Sequence, residues 1–309
     1  MEGLLAQDGL ETGDSSKSLP EPLQSEPPGW PFTAPITLRS SRRFLEGRFS
    51  LASALSDKYE SCLIVERRDF SSDLWEIRVK PESPFEFRPG QYATLGVDLN
   101  GKVLERPYSI VSAPEEEELE FFIELIPGGA LTPHLHQILE GGRVLMRKRP
   151  KGVFMKAGLD PARSHLFLAT VTGVAPFASI LRQFRLRAGQ QNTPPRILLV
   201  QGASFSNEFG YAQEMAELEQ LLPGFRYVPT ISRPWGDPGW EGETGRAEDV
   251  LRKYADEFGI NPASGAVYLC GHPGMISSGR AVMLRKGLAD SEIEEEQYWP
   301  EGKEPTGPV

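Results

Sequence analysis

Apolar and polar residues alternate in Leu74-Trp-Glu-Ile-Arg-Val79, the pattern of a strand with one face buried. Ser61-Cys-Leu-Ile-Val-Glu66, Tyr92–Val97, Leu119–Leu125 and Arg143–Arg147 also read as strands, and a Pro-Gly turn at Pro89-Gly90 precedes the Tyr92 run. One short helix is expected late in this half, Leu131–Leu139, after Gly128-Gly129. Short strands at close spacing, separated by turn residues, predict a small antiparallel β-barrel domain over 58–160.

Beyond Pro161 the period lengthens. Apolar runs at His165–Thr170, Arg196–Gln201, Phe225–Ile231 and Ala266–Cys270 alternate with helical stretches at Ala175–Ala188, Glu208–Leu222, Arg246–Glu257 and Gly274–Leu288. Strands alternating with helices call for an α/β domain over 161–309, a doubly wound parallel sheet whose ligand lies beyond the carboxyl ends of its strands. Residues 1–57 fit neither half. Pro20, Pro22, Pro27, Pro28, Pro31 and Pro35 interrupt any regular element, so a disordered or loosely docked tail is expected.

Composition narrows the class. Of 309 residues, 39% are hydrophobic and 25% charged, enough for two globular cores. No run approaches the ~18 apolar residues of a membrane-spanning helix. The first thirty residues hold six acids and one base, so no secretory signal is expected. Cys62 and Cys270 are the only cysteines, too few for an iron–sulfur cluster or a structural zinc site, and no metal is expected. So sparing a use of cysteine points to a reducing, cytoplasmic setting. The net charge of −10 argues against nucleic acid as a partner.

Three stretches carry candidate chemistry. Thr170-Val-Thr-Gly-Val-Ala-Pro-Phe177 joins a strand to a helix, where small residues and unpaired N–H groups suit a phosphate. Tyr268-Leu-Cys-Gly-His-Pro-Gly274 puts a thiol and a glycine at the carboxyl edge of the sheet. In the barrel half, Arg106-Pro-Tyr-Ser109 is read as the start of a strand. It offers a guanidinium fork for a pyrophosphate, a ring for a flat cofactor and a hydroxyl for a ring nitrogen.

Arg106-Pro-Tyr-Ser109, Gly129-Ala-Leu-Thr132, Thr172-Gly-Val-Ala-Pro-Phe177 and Cys270-Gly271, in this order, resemble the ferredoxin–NADP reductase family. The resemblance runs from about Tyr59 to Trp299. Gln297-Tyr-Trp299, with Ser232-Arg233 and Gly245-Arg246, is similar to the bacterial ferredoxin/flavodoxin–NADP reductases. It implies an FAD enzyme that exchanges electrons between NADP(H), with NAD(H) an alternative, and ferredoxin or flavodoxin by hydride transfer. By the same resemblance Arg106 binds the FAD pyrophosphate, with Pro107 inside the motif. Tyr108 packs on the isoalloxazine and Ser109 sits near flavin N5. Gly129 and Thr132 hold the FAD phosphates, Thr172 and Gly173 those of the nicotinamide nucleotide. Cys270 stands beside the nicotinamide, Tyr298 or Trp299 covers the flavin or its adenine, and Arg233 and Arg246 take the 2′-phosphate.

The sequence departs from the family pattern at Val171, where a glycine is usual, at Pro133, where a hydroxyl residue often stands, and at Ser204, an arginine in some bacterial members. Two other readings stay open: a reductase component serving an oxygenase or other redox complex on the same two domains, and a non-enzymatic binding module built on a barrel beside an α/β domain.

Overall fold

An Asn-Gly pair organises the front of the barrel. Strand β3 (Tyr92–Leu99) runs into β4 (Lys102–Ser109) through Asn100 at φ 56° and Gly101 at φ 87°, the backbone of a two-residue hairpin. The Asp98 carboxylate accepts the Gly101 N–H at 2.7 Å. The two strands pair along their whole length, from Leu99↔Lys102 to Tyr92↔Ser109. Arg106–Ser109 therefore ends a strand, where the sequence reading had it begin one.

The computed structural model describes residues 57–188 and 195–298. The expected tail, all but its last residue, and Trp299 lie outside the described residues. In the barrel half, β1 (Tyr59–Asp69), β2 (Leu74–Lys80), β5 (Leu119–Glu124) and β6 (Arg143–Arg147) complete an antiparallel six-stranded sheet in the order β4-β3-β6-β1-β2-β5. Trp75, Ile77, Leu95, Phe121 and Met146 fill its interior. Helix α1 (Thr132–His136) has five residues, fewer than the expected Leu131–Leu139. The helix ends with Gln137 as its C-cap, and Gly141, at φ 82°, turns the chain toward β6.

The second half is a parallel sheet of β7 (Ser164–Thr170), β8 (Arg196–Ala203), β9 (Phe225–Ile231), β10 (Glu243–Thr244), β11 (Gly265–Gly271) and β12 (Ile293–Gln297), ordered β10-β9-β8-β7-β11-β12. Helices α2 (Ala175–Leu186), α3 (Ala212–Leu221), α4 (Ala247–Phe258) and α5 (Pro273–Arg285) connect its strands. Apolar clusters cover both faces: Phe167, Phe177 and Leu199 on one, Leu168, Leu251 and Ile276 on the other. Helix α3 starts four residues later than expected because Gly210 turns at φ 61°. Two strands went unread. β10 is two residues long, and β12 is an edge strand in which only Ile293 is buried, so Ile-Glu-Glu-Glu-Gln shows no apolar run. No helix among the described residues is long and apolar enough to cross a membrane.

Candidate functional site

Where β4 and β5 end, the barrel faces the carboxyl edge of the parallel sheet across a cleft of about 480 Å³. The hairpin delivers Arg106, Pro107, Tyr108 and Ser109 to one wall, and the loop after β5 adds Gly129 and Thr132. Thr172, Ala175, Glu296 and Tyr298 come from the other half. Six sequence-selected residues of the barrel half thus meet at one place, together with Thr172 and Tyr298.

Each is held by local chemistry. Arg106 is exposed, and its one side-chain hydrogen bond among the described residues runs from Nη1 to the Glu105 carbonyl at 2.7 Å. Most of its guanidinium fork therefore stays open to an anion. The half-buried Tyr108 ring also packs against the barrel core, and burial pushes its hydroxyl above the ordinary tyrosine range. The buried Thr132 hydroxyl accepts the Ile126 N–H at 2.9 Å and so shapes the loop ahead of α1. Gly129 closes that loop by donating to the Ile126 carbonyl at 2.9 Å; a Cβ there would crowd the same oxygen.

Ser109 Oγ donates to Glu296 Oε1 at 2.9 Å and ties the barrel to the edge strand of the other sheet. Glu296 is half-buried, and burial raises its carboxyl above the ordinary range, against the opposing pull of the Ser109 hydrogen bond. Neither Glu296 nor its neighbour Glu294 was among the residues selected from the sequence. Glu294 accepts the Met155 N–H at 2.9 Å, so Glu294, Glu296 and Tyr298, two apart, all face the barrel. That period was the available signal, hidden because acids occupy both faces of the strand.

Cys270 lies directly opposite Glu296 in the β11–β12 register and opposite Ala169 in β7. It is fully buried and does not line the cleft. The Tyr298 hydroxyl interacts with the Cys270 thiol and with the Thr172 hydroxyl. Burial raises the thiol well above its ordinary value, which keeps it neutral and unreactive.

Two glycines are explained by packing. A Cβ on Gly173 would collide with the Cys270 carbonyl, and one on Gly271, at φ 128°, with the Thr170 hydroxyl. That hydroxyl also accepts the His272 N–H at 2.9 Å. The ends of β7 and β11 are thereby brought together under the cleft. Val171 sits at φ 41°, the left-handed region that a β-branched side chain rarely adopts. Its position is the one where the family pattern has glycine.

Arg233 and Arg246 lie outside the cleft. They leave the carboxyl ends of β9 and β10, where Thr244 pairs with Ile231 and Gly245 N–H donates to the Ile231 carbonyl at 2.8 Å. Arg233 packs over the Phe205 ring at 5.8 Å. Arg246 is exposed at the start of α4, its N–H donating to Asp249 at 3.0 Å.

Residues 61–155 match the oxidoreductase FAD-binding domain family, and residues 167–280 the oxidoreductase NAD-binding domain family. The chain is 34% identical to ferredoxin–NADP reductase B of Sorangium cellulosum, over 69% of this chain and 86% of that protein. It is 29% identical to the phenol hydroxylase P5 protein of Acinetobacter pittii, over 76% of this chain and 64% of that one. Among solved structures, it superposes on a ferredoxin NADP+ reductase from Neisseria gonorrhoeae with bound FAD and NADP. The TM-score is 0.69 at 25% identity, covering 78% of this chain and 99% of that one.

Proposed function

The chain belongs to the ferredoxin–NADP reductase family, and from that premise we propose that it carries electrons between NADP(H) and ferredoxin or flavodoxin through an FAD held in the cleft. The observation that carries the reading is the convergence of Arg106, Tyr108 and Ser109 with Thr132, Glu296 and Tyr298 on one cavity between the two sheets. These residues suit FAD: an open guanidinium fork for a pyrophosphate, tyrosine rings for a flat heterocycle, and a volume inside the ~300–1,000 Å³ of small-molecule sites. FAD, when bound, takes a hydride from the nicotinamide and releases its electrons singly, which is why such an enzyme needs it.

Each residue then has a task. Arg106 grips the pyrophosphate, Pro107 fixes the strand end, and Tyr108 lies against the isoalloxazine. Ser109 approaches N5 with Glu296 behind it. Gly129 and Thr132 order the loop that receives the FAD phosphates. Thr172 and Gly173 receive the nicotinamide nucleotide, and Arg233 and Arg246 its 2′-phosphate. Tyr298 covers the inner cleft, so Cys270 reaches the nicotinamide only when that ring gives way. The free, buried thiols Cys62 and Cys270 fit a reducing cytoplasm.

The likeness to a phenol hydroxylase component supports a second reading, a reductase that serves an oxygenase on the same domains. The test is anaerobic reduction of the flavin-loaded protein by NADPH, followed by transfer to a panel of ferredoxins, flavodoxins and oxygenase components. Fast transfer to a ferredoxin or flavodoxin upholds the first reading. Transfer to an oxygenase component alone replaces it with the second.

A further inference from the structure

Helix α2 has one end in the cleft and the other fixed to the barrel. Ala175, its first residue, lines the cavity. One turn on, Ser179 Oγ donates to the Ser112 carbonyl of the barrel half at 2.7 Å. Two turns on, Arg182 is 5% exposed and forks twice. It donates to both oxygens of Glu120 on β5, at 3.0 and 3.1 Å, and to both oxygens of Glu214 on α3, at 2.7 Å each. Glu120 is 1% exposed and also accepts from the Tyr211 hydroxyl at 2.7 Å, with Arg78 Nη2 of β2 2.7 Å away. Burial alone would raise Glu120; Arg182, Tyr211 and Arg78 outweigh it and hold the carboxyl below its ordinary value, so it is charged.

β5 is anchored in the same way from the opposite side. Two residues beyond Glu120, Phe122 lines the cleft, and Glu124 follows at its wall. The Glu120–Arg182 contact therefore locks together the two elements whose ends form opposing walls. An apolar contact of equal volume would join the halves about as firmly, because two charges are costly to desolvate. What paired bidentate forks add is a set distance and angle, which greasy surfaces that slide on one another lack.

We propose that Arg182, through Glu120, is a positioning residue for hydride transfer: the clamp sets how far and at what angle the nicotinamide wall of the cleft stands from the flavin wall. The proposal rests on the reading of the cleft given above. Small misplacement of donor and acceptor slows a transfer steeply, whereas the grip on the FAD pyrophosphate and phosphates comes from the barrel half.

The test uses the full-length, FAD-loaded protein and the variants Arg182→Leu, Arg182→Lys and Glu120→Gln. In stopped-flow reduction at saturating NADPH, Arg182→Leu and Glu120→Gln are expected to slow by about tenfold or more. Half-saturation by NADPH and flavin content should stay as in the wild type, the thermal midpoint should fall because each variant breaks a buried ion pair, and Arg182→Lys should recover part of the rate. Reoxidation of the photoreduced flavin by a small neutral acceptor, which needs no nicotinamide, should be unchanged. If Arg182→Leu fails to fold, Glu120→Gln, which keeps size and shape, decides. Wild-type reduction rates in folded, flavin-loaded variants overturn the clamp. So does a fall that tracks lost flavin, since the pair would then be structural only. A wild-type flavin that NADPH does not reduce overturns the functional reading instead.

Discussion

Ser109 and Glu296, 187 residues apart in sequence, are joined by a 2.9 Å hydrogen bond that crosses from the end of a barrel strand to the edge of the parallel sheet. A hydroxyl at the cleft with a carboxyl behind it is the arrangement a proton relay requires. Below its raised pKa Glu296 carries a proton that Ser109 can relay to the cleft; above it the carboxylate only accepts.

The first prediction follows from that sign. Electron flow from carrier to NADP+ consumes a proton, so its rate should fall as pH rises through the Glu296 pKa, above the ordinary carboxylate range. Glu296→Gln should be slower at low pH and flat across this window. Ser109→Ala should lose the same dependence. The pH profile of carrier-driven NADP+ reduction checks both, and an unaltered profile in Glu296→Gln removes the relay.

Arg106 motivates the second. Its fork has no carboxylate to hold among the described residues, so a ligand phosphate is its natural partner. Arg106→Ala should forfeit a charge-assisted contact of roughly 1.5–3 kcal/mol. That is about a tenfold to hundredfold weaker FAD complex. Flavin retained after dialysis, read by absorbance, measures it; full retention places the pyrophosphate elsewhere.

These two residues also mark how far the chain could be read without its fold. The place of Arg106 at the cleft was legible because its motif is contiguous, and the change from short strands to strand–helix alternation was legible because each half repeats one period. Asn100-Gly101 was an open hairpin signal between two strands, yet β4 was read as starting at Arg106, its fifth residue. β12 was invisible for a physical reason: an acidic edge strand buries one residue and borrows its order from β11. Glu296 acquires its chemistry from burial and from its contact with Ser109, which no local pattern could pair with it. Gly173 looked like part of a phosphate cradle, and the fold adds that it leaves room for the Cys270 carbonyl.

The third prediction concerns Cys270. Its thiol is fully buried and neutral, so a covalent role is closed to it, and the role proposed for it is packing against the nicotinamide. Cys270→Ala should retain FAD and fold while slowing flavin reduction by NADPH, because the removed sulfur lets the ring settle out of line. Stopped-flow traces at saturating NADPH decide. An unchanged rate constant leaves Cys270 as a core residue of the β7–β11 packing and nothing more.

The last prediction is the nucleotide preference. Arg233 and Arg246 leave neighbouring strand ends at the carboxyl edge of the sheet, held side by side by the Thr244↔Ile231 pairing, and both are outside the cleft. An adenosine end that extends beyond the cleft along this edge would bring a 2′-phosphate to them. Ser204, at the end of β8, offers no third charge, and its N–H is already given to Glu208 at 2.6 Å. The proposed grip therefore rests on two arginines, one of them held over the Phe205 ring. Replacing both by alanine should raise the Michaelis constant for NADPH and leave that for NADH nearly unchanged, at roughly 1.5–3 kcal/mol for each lost contact. NADH lacks the 2′-phosphate and so serves as the internal control. Equal weakening of both nucleotides, or a wild-type preference for NADH, would assign the two arginines to solvent or to the carrier protein.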